Sequence, residues 1–278
     1  MTEDLIEQAL TLMKAQRYGE ALPILRRAID HDPSNWNTSY LVGQCCRFLD
    51  DIEGAIHHLS HASELKIDEP SVFLALGIAF QLNNQWDEAI EAFRRAIEIN
   101  SDFASAYNSL ALTQKKRGDL SKALHNYDAG VKALARQIVK VMSNSRTSPI
   151  LKHRNTVGSL WLEYIMEVAL FLVSSEEGIN NIAFPRTVRR QWRRSAGEKA
   201  MEEERTEEHA GLCWYDTSNE KGENTRVFLP NFFNTFREEF KHNPEYSNLI
   251  GNRGTVLELL GRDDEARLHF DEATEFLP

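Results

Sequence analysis

The chain has 278 residues, 42% hydrophobic and 27% charged, an ordinary balance for a soluble globular protein with room for one large domain or two small ones. A formal net charge of −10 argues against broad attraction to nucleic acid or to an anionic membrane surface. Of three cysteines, Cys45 and Cys46 are neighbours and Cys213 is remote, with no C-x-x-C pair; this excludes a disulfide framework or a zinc ligand set and fits a reducing compartment.

The chain opens Met1-Thr2-Glu3-Asp4-Leu5, acidic where a signal peptide would be basic and then apolar, so a cytoplasmic location is expected. A 34-residue spacing then governs the chain. Residues 2–35 carry Ala9, Ala21 and Ala28; 36–69 carry Gly43, Ala55 and Ala62; 70–103 carry Gly77, Ala89 and Ala96; 104–137 carry Ala111, Ala123 and Gly130. The same places return in 247–278 as Gly254, Ala266 and Ala273. Two helix backbones approach closely only where side chains are minimal, so each unit reads as a pair of amphipathic helices folded back on one another. Larger apolar residues fill the gaps: Leu25, Leu59, Phe93, Tyr127 and Phe270 stand four after one small place, and Leu5, Phe73, Tyr107 and Ile250 four before another. Gly118-Asp119 and Gly261-Arg262 supply turn chemistry between the halves of their units, and Pro33 and Pro278 close the first and fifth.

This period, with small residues at the eighth, twentieth and twenty-seventh places and proline at the thirty-second, resembles the tetratricopeptide repeat. The resemblance covers 2–137 as four units and 247–278 as a fifth. It implies an all-α, right-handed superhelical solenoid of antiparallel helix pairs. Units two to four depart from it in lacking the closing proline, and Ser39 stands where the family has an aromatic.

Residues 138–246 break the phase and read as a mostly helical insert before the last repeat. The stretch 131–142 is expected to prolong the helix before it, and 143–148 to be a polar link ahead of Pro149. Residues 155–174 read as a helix with a wide apolar surface that includes Trp161, Ile165, Val168 and Leu172. Such a helix must be buried, on the solenoid, on a second copy of the chain or on a partner. It is interrupted by Glu163 and Glu167 and is too short to cross a bilayer. Pro185 suits the start of another helix, whose Arg189, Arg190 and Arg193 surround Trp192. That run is a candidate contact for phosphate or RNA, but the glutamates that follow it and the acidic chain favour a solvated, ion-paired helix. Residues 211–227 read as a long polar loop, and 231–241 as a helix with Phe232, Phe236 and Phe240 on one side. Phe236 and Pro244 have the spacing of a degraded repeat over 213–246.

The resemblance further implies that the first helix of each unit lines a concave face. On that face it places an apolar strip of Ile6, Leu10, Tyr40, Leu74, Ile78 and Leu112, edged by Gln44, Arg47, Gln81, Asn108 and Lys115. A strip of this kind suits an extended or helical peptide, with the insert's own apolar helix as the rival occupant. Relatives that hold chaperone C-termini clamp a terminal carboxylate with lysine, arginine and asparagine. Ile6 and Leu10 occupy two of those places here, so that ligand is not expected.

No P-loop, dinucleotide fingerprint, H-E-x-x-H or G-x-S-x-G motif is present. His57 and His61 stand i, i+4, but without a carboxylate or cysteine at ligand spacing they read as a surface cluster. The expectation is a non-enzymatic scaffold, adaptor or assembly chaperone that needs no metal or cofactor and binds another protein. The alternatives are a homodimer through 155–174, or an accessory subunit of an enzyme or RNA-linked complex through the arginine run.

Overall fold

The computed structural model describes residues 2–144, 214–218, 224–228 and 243–275. Eight helices come first: α1 (Thr2–Lys14), α2 (Tyr18–His31), α3 (Trp36–Phe48), α4 (Ile52–Leu65), α5 (Pro70–Leu82), α6 (Trp86–Ile99), α7 (Ala104–Arg117) and α8 (Leu120–Asn144). They are followed by strands β1 (Trp214–Ser218) and β2 (Asn224–Phe228), then α9 (Pro244–Leu259) and α10 (Asp263–Glu275).

The small places are where the two helices of a pair meet. Ala9, Ala21, Ala28, Ala55, Ala62, Ala89, Ala96, Ala111 and Ala123 are all fully buried. The two glycines at the eighth place show why. A Cβ on Gly43 would come within 2.5 Å of Leu59, and one on Gly77 within 2.5 Å of the Phe93 ring. The large residue of the second helix thus sits directly over the small residue of the first, and the seam repeats pair after pair. Its apolar burial is the main stabilising term.

The turn inside each pair is equally regular. Gln16, Asp50, Asn84, Gly118 and Gly261 all have positive φ, between 58° and 85°, at the same place in each unit. The next residue's amide then bonds back to a carbonyl five residues earlier: Arg17 to Leu12, Asp51 to Cys46, Gln85 to Phe80, Asp119 to Gln114 and Arg262 to Leu257, each at 2.9 Å. This is the Schellman closure of a helix C-terminus. Only two of the five turns use glycine, where the left-handed conformation is free of the Cβ clash.

Consecutive helices pack in order from α1 to α7, and the first helices α3, α5 and α7 also touch in succession, forming a layer. The chain divides into two compact units, Met1–Gly130 with Asn252–Arg267, and Val131–Gly251 with Leu268–Pro278. Within the first, the core runs from Ile6 and Leu25 through Val42, Leu59 and Leu76. A second cluster gathers Ile90, Phe93 and Leu110. Asn252 Nδ2 donates to Asn108 Oδ1 at 3.2 Å and Arg253 Nε to Asp128 Oδ1 at 2.6 Å, so part of α9 joins α7 and α8 across 125 or more residues of sequence. Within the second unit, Leu134 and Ile138 of α8 and Tyr246, Leu249 and Ile250 of α9 are buried, and Gly251 lies beside Ala273.

α8 has 25 residues, where its counterparts α2, α4 and α6 have 14. Two expectations require correction. Within 211–227, read as a loop, β1 and β2 pair antiparallel, Trp214 opposite Phe228 and Ser218 opposite Asn224. The β-branched and aromatic residues on either side of a Gly- and Asn-containing stretch outweigh its polar composition. Pro244, read as closing a degraded repeat, is the first residue of α9, where its fixed φ and missing N–H suit a helix start. The helix expected over 155–174, the arginine run and the Phe232–Phe240 side lie outside the described residues.

Candidate functional site

The first helices present alternating residues to the seam and to the opposite face, and α3 shows this within one turn. Cys45 and Cys46 are buried among the core residues, while Gln44 and Arg47 on either side are partly exposed. Burial, first, and Cys46 beside it push the Cys45 thiol up to about 11; burial, then Asp51, does the same to Cys46. These thiols are core groups with little nucleophilic character.

On the face, Leu10, Tyr40, Leu74, Ile78 and Leu112 are all partly exposed. Leu10 and Tyr40 lean on one core cluster, Leu74 and Ile78 on the other. Ile6, expected on the strip, is buried and belongs to the core cluster shared by the first helices and their partners. Asn108, expected at the edge as a ligand group, accepts the hydrogen bond from Asn252 and serves to seat α9.

The remaining polar residues are held in place. Gln44 Nε2 donates to the Tyr40 hydroxyl at 3.0 Å, and Arg47 donates through Nε and Nη2 to Gln44 Oε1 at 3.1 and 2.8 Å. The Arg47 guanidinium lies 4.1 Å from the centre of the Phe48 ring, which stacks on Tyr18 at 4.2 Å and 8°. Gln81 Nε2 donates to Thr113 Oγ1 at 2.9 Å, joining α5 to α7, and Thr113 in turn donates to the Ser109 carbonyl. Burial holds Arg47 below its usual pKa; burial and then the neighbouring Lys116 do the same to Lys115.

Phe48 and Leu82 are not among the residues the sequence placed on the strip or its edge, yet each is 50% exposed at the end of its helix. Their shared thirteenth place was the available signal. It did not reveal Tyr18 or Thr113, which act from neighbouring helices. It also missed a cleft of about 500 Å³ among α6, α7 and α8, lined by Tyr107, Gln114, His125 and Asn126 among others, where Asn126 donates to Gln114 at 2.7 Å. Ser39, the departure at the fourth place, is fully buried, and its hydroxyl lies 3.1 Å from His61 Nδ1. The metal pair considered at His57 and His61 therefore has one member turned toward its own core. Among the described residues no helix is long and apolar enough to cross a membrane.

Residues 6–60 match the tetratricopeptide repeat family model and 79–118 a TPR repeat model. A TPR repeat-containing protein of Methanocaldococcus jannaschii is 27% identical over 128 residues, 45% of this chain and 22% of that relative, so the match spans about a fifth of the relative's length. Among solved structures, MamA from Desulfovibrio magneticus RS-1 is similar over 52% of this chain and 78% of that one, at 16% identity and TM-score 0.46. The first TPR of Spaghetti (RPAP3), bound to an HSP90 peptide, is similar over 42% and 93%, at 20% identity and TM-score 0.41. With the 34-residue period, the buried small places and the matched segments in agreement, residues 6–60 and 79–118 are tetratricopeptide repeats.

Proposed function

We propose that the chain is a non-catalytic protein–protein interaction scaffold, an adaptor or assembly chaperone that takes a segment of a partner on the first-helix face of α1, α3, α5 and α7. The observation that carries this reading is the state of that face. Leu10, Leu74, Ile78 and Leu112 remain partly exposed in line, while the polar groups among them are fixed by Gln44–Arg47 and Gln81–Thr113 hydrogen bonds. Apolar side chains left in contact with water gain by burial when a ligand arrives. Side chains already ordered lose little entropy in the process, which makes the face preorganised for binding. Among the described residues of this face none sets a nucleophile against a base, and binding is the chemistry the face supports.

The test is a synthetic array of N-acetylated, C-amidated random twelve-residue peptides, probed with the fluorescently labelled full chain and with its Ile78→Glu variant. Peptides that bind the parent and are lost by the variant, with the helical circular dichroism unchanged, support the reading. An array with no Ile78-dependent binder would overturn it.

A further inference from the structure

From the second repeat to the fourth, acidic residues are absent from the first helices. α3, α5 and α7 contain none, whereas α1 carries Glu3, Asp4 and Glu7 and the second helices α2, α4 and α6 contain eight, of 42 in the chain. What charge these first helices carry is positive and lies at one end: Arg47 on α3, and Lys115, Lys116 and Arg117 on α7. Arg117 pairs with Asp87 and lies near Asp119, and Lys116 lies 5.5 Å from the centre of the Trp86 ring. Arg47 and Lys115 have no carboxylate partner among the described residues, and both are partly buried.

A partly buried cation without an anion has given up hydration and received little in exchange. A carboxylate arriving beside it forms a charge-assisted hydrogen bond in a site already partly dry. Arg47 is suited to this, because Gln44 and the Phe48–Tyr18 stack fix the plane of its guanidinium in advance. Arg47 and Lys115 occupy the same place on α3 and α7, two helices apart with α5 between them. At 8–10 Å per helix this is roughly 16–20 Å. An extended chain advancing about 3.3 Å per residue covers that in about five or six residues.

We propose, resting on the groove reading above, that the partner segment is acidic as well as apolar and internal to its chain. Two of its carboxylates, about five or six residues apart, engage Arg47 and Lys115 while its apolar side chains lie on Leu74 and Ile78. The segment needs no free C-terminus, since Ile6 and Leu10 offer a terminal carboxylate nothing on α1.

The amidated peptide array separates this proposal from the reading beneath it. The expected result is enrichment of bound peptides in paired Asp or Glu at a separation of five or six. Arg47→Gln with Lys115→Gln should weaken individual acidic peptides about tenfold per lost contact, near 1.4 kcal/mol each. Arg27→Gln on the exposed side of α2 should change nothing. Bound peptides without acidic enrichment, or enrichment that survives the double substitution, overturn the proposal. If those peptides still depend on Ile78, the groove stands and only its charge preference falls. Acidic peptides that bind only after Glu202, Glu203 and Glu204 are replaced by Gln would also overturn it, and would assign the site to this chain's own glutamate run.

Discussion

The seam inside each helix pair and the face the first helices turn away from it are built by opposite rules. At the seam, every pair repeats the same solution: a small residue beneath a large one, as Gly43 lies beneath Leu59 and Gly77 beneath Phe93. On the face, the pairs differ. The twelfth place holds Met13, Arg47, Gln81 and Lys115 in turn, and the fifth Tyr40, Leu74 and Asn108 in the second to fourth. Helix packing tolerates little change in volume at a close approach, so the seam is fixed by geometry. The face meets solvent, so its residues are free to differ and thereby to recognise something.

The largest effect should come from breaking the seam. Gly77→Val places methyl groups inside the Phe93 ring, whose edge a Cβ would already meet at 2.5 Å. It is expected to destabilise by about 3 kcal/mol, read as a lower urea midpoint at unchanged slope. Gln44–Arg47 sharpen the contrast within a single turn. At pH 8, with both thiols held at about 11, roughly one in a thousand is a thiolate, so Cys45 and Cys46 should resist iodoacetamide in the native chain and react in denaturant. Rapid native labelling would mean that α3 opens on the timescale of the experiment.

Smaller changes probe the turns and the seam in the stabilising direction. Gln16 has φ 58° where Gly118 and Gly261 serve the equivalent turns, so Gln16→Gly should stabilise by about 1 kcal/mol, less the entropy glycine adds to the unfolded chain. A melting temperature that falls instead would show that the side chain supports the turn. Tyr127 fills the large place that Leu25, Leu59 and Phe93 fill elsewhere, but its buried hydroxyl has no hydrogen-bond partner. Tyr127→Phe should therefore be neutral or stabilising by up to about 1 kcal/mol in thermal unfolding. The smallest effect belongs to the face. Arg47→Gln should shift stability by less than about 0.5 kcal/mol while weakening acidic peptides, the signature of a residue kept for binding. A large loss of stability would reassign Arg47 to the seam.

Sequence alone determined the helix pairs, their seam and the face, because each rests on a short-range rule. A 34-residue period fixes which residues recur, and 3.6 residues per turn fixes which of them share a side. Gln44 could thus be assigned to the face before any coordinates, whereas that both Cys45 and Cys46 are buried is seen only in the folded chain. The tertiary structure decided what depends on contacts across the chain. Ile6 is covered, Asn108 is taken by Asn252 from 144 residues away, and Thr113 holds Gln81 from the first helix of the next pair. Which cations find a carboxylate is likewise settled by neighbours on other helices: among the described residues Arg117 meets Asp87 and Arg47 meets none. Periodicity specifies the side of a helix a residue occupies; only the packed chain specifies what stands opposite it.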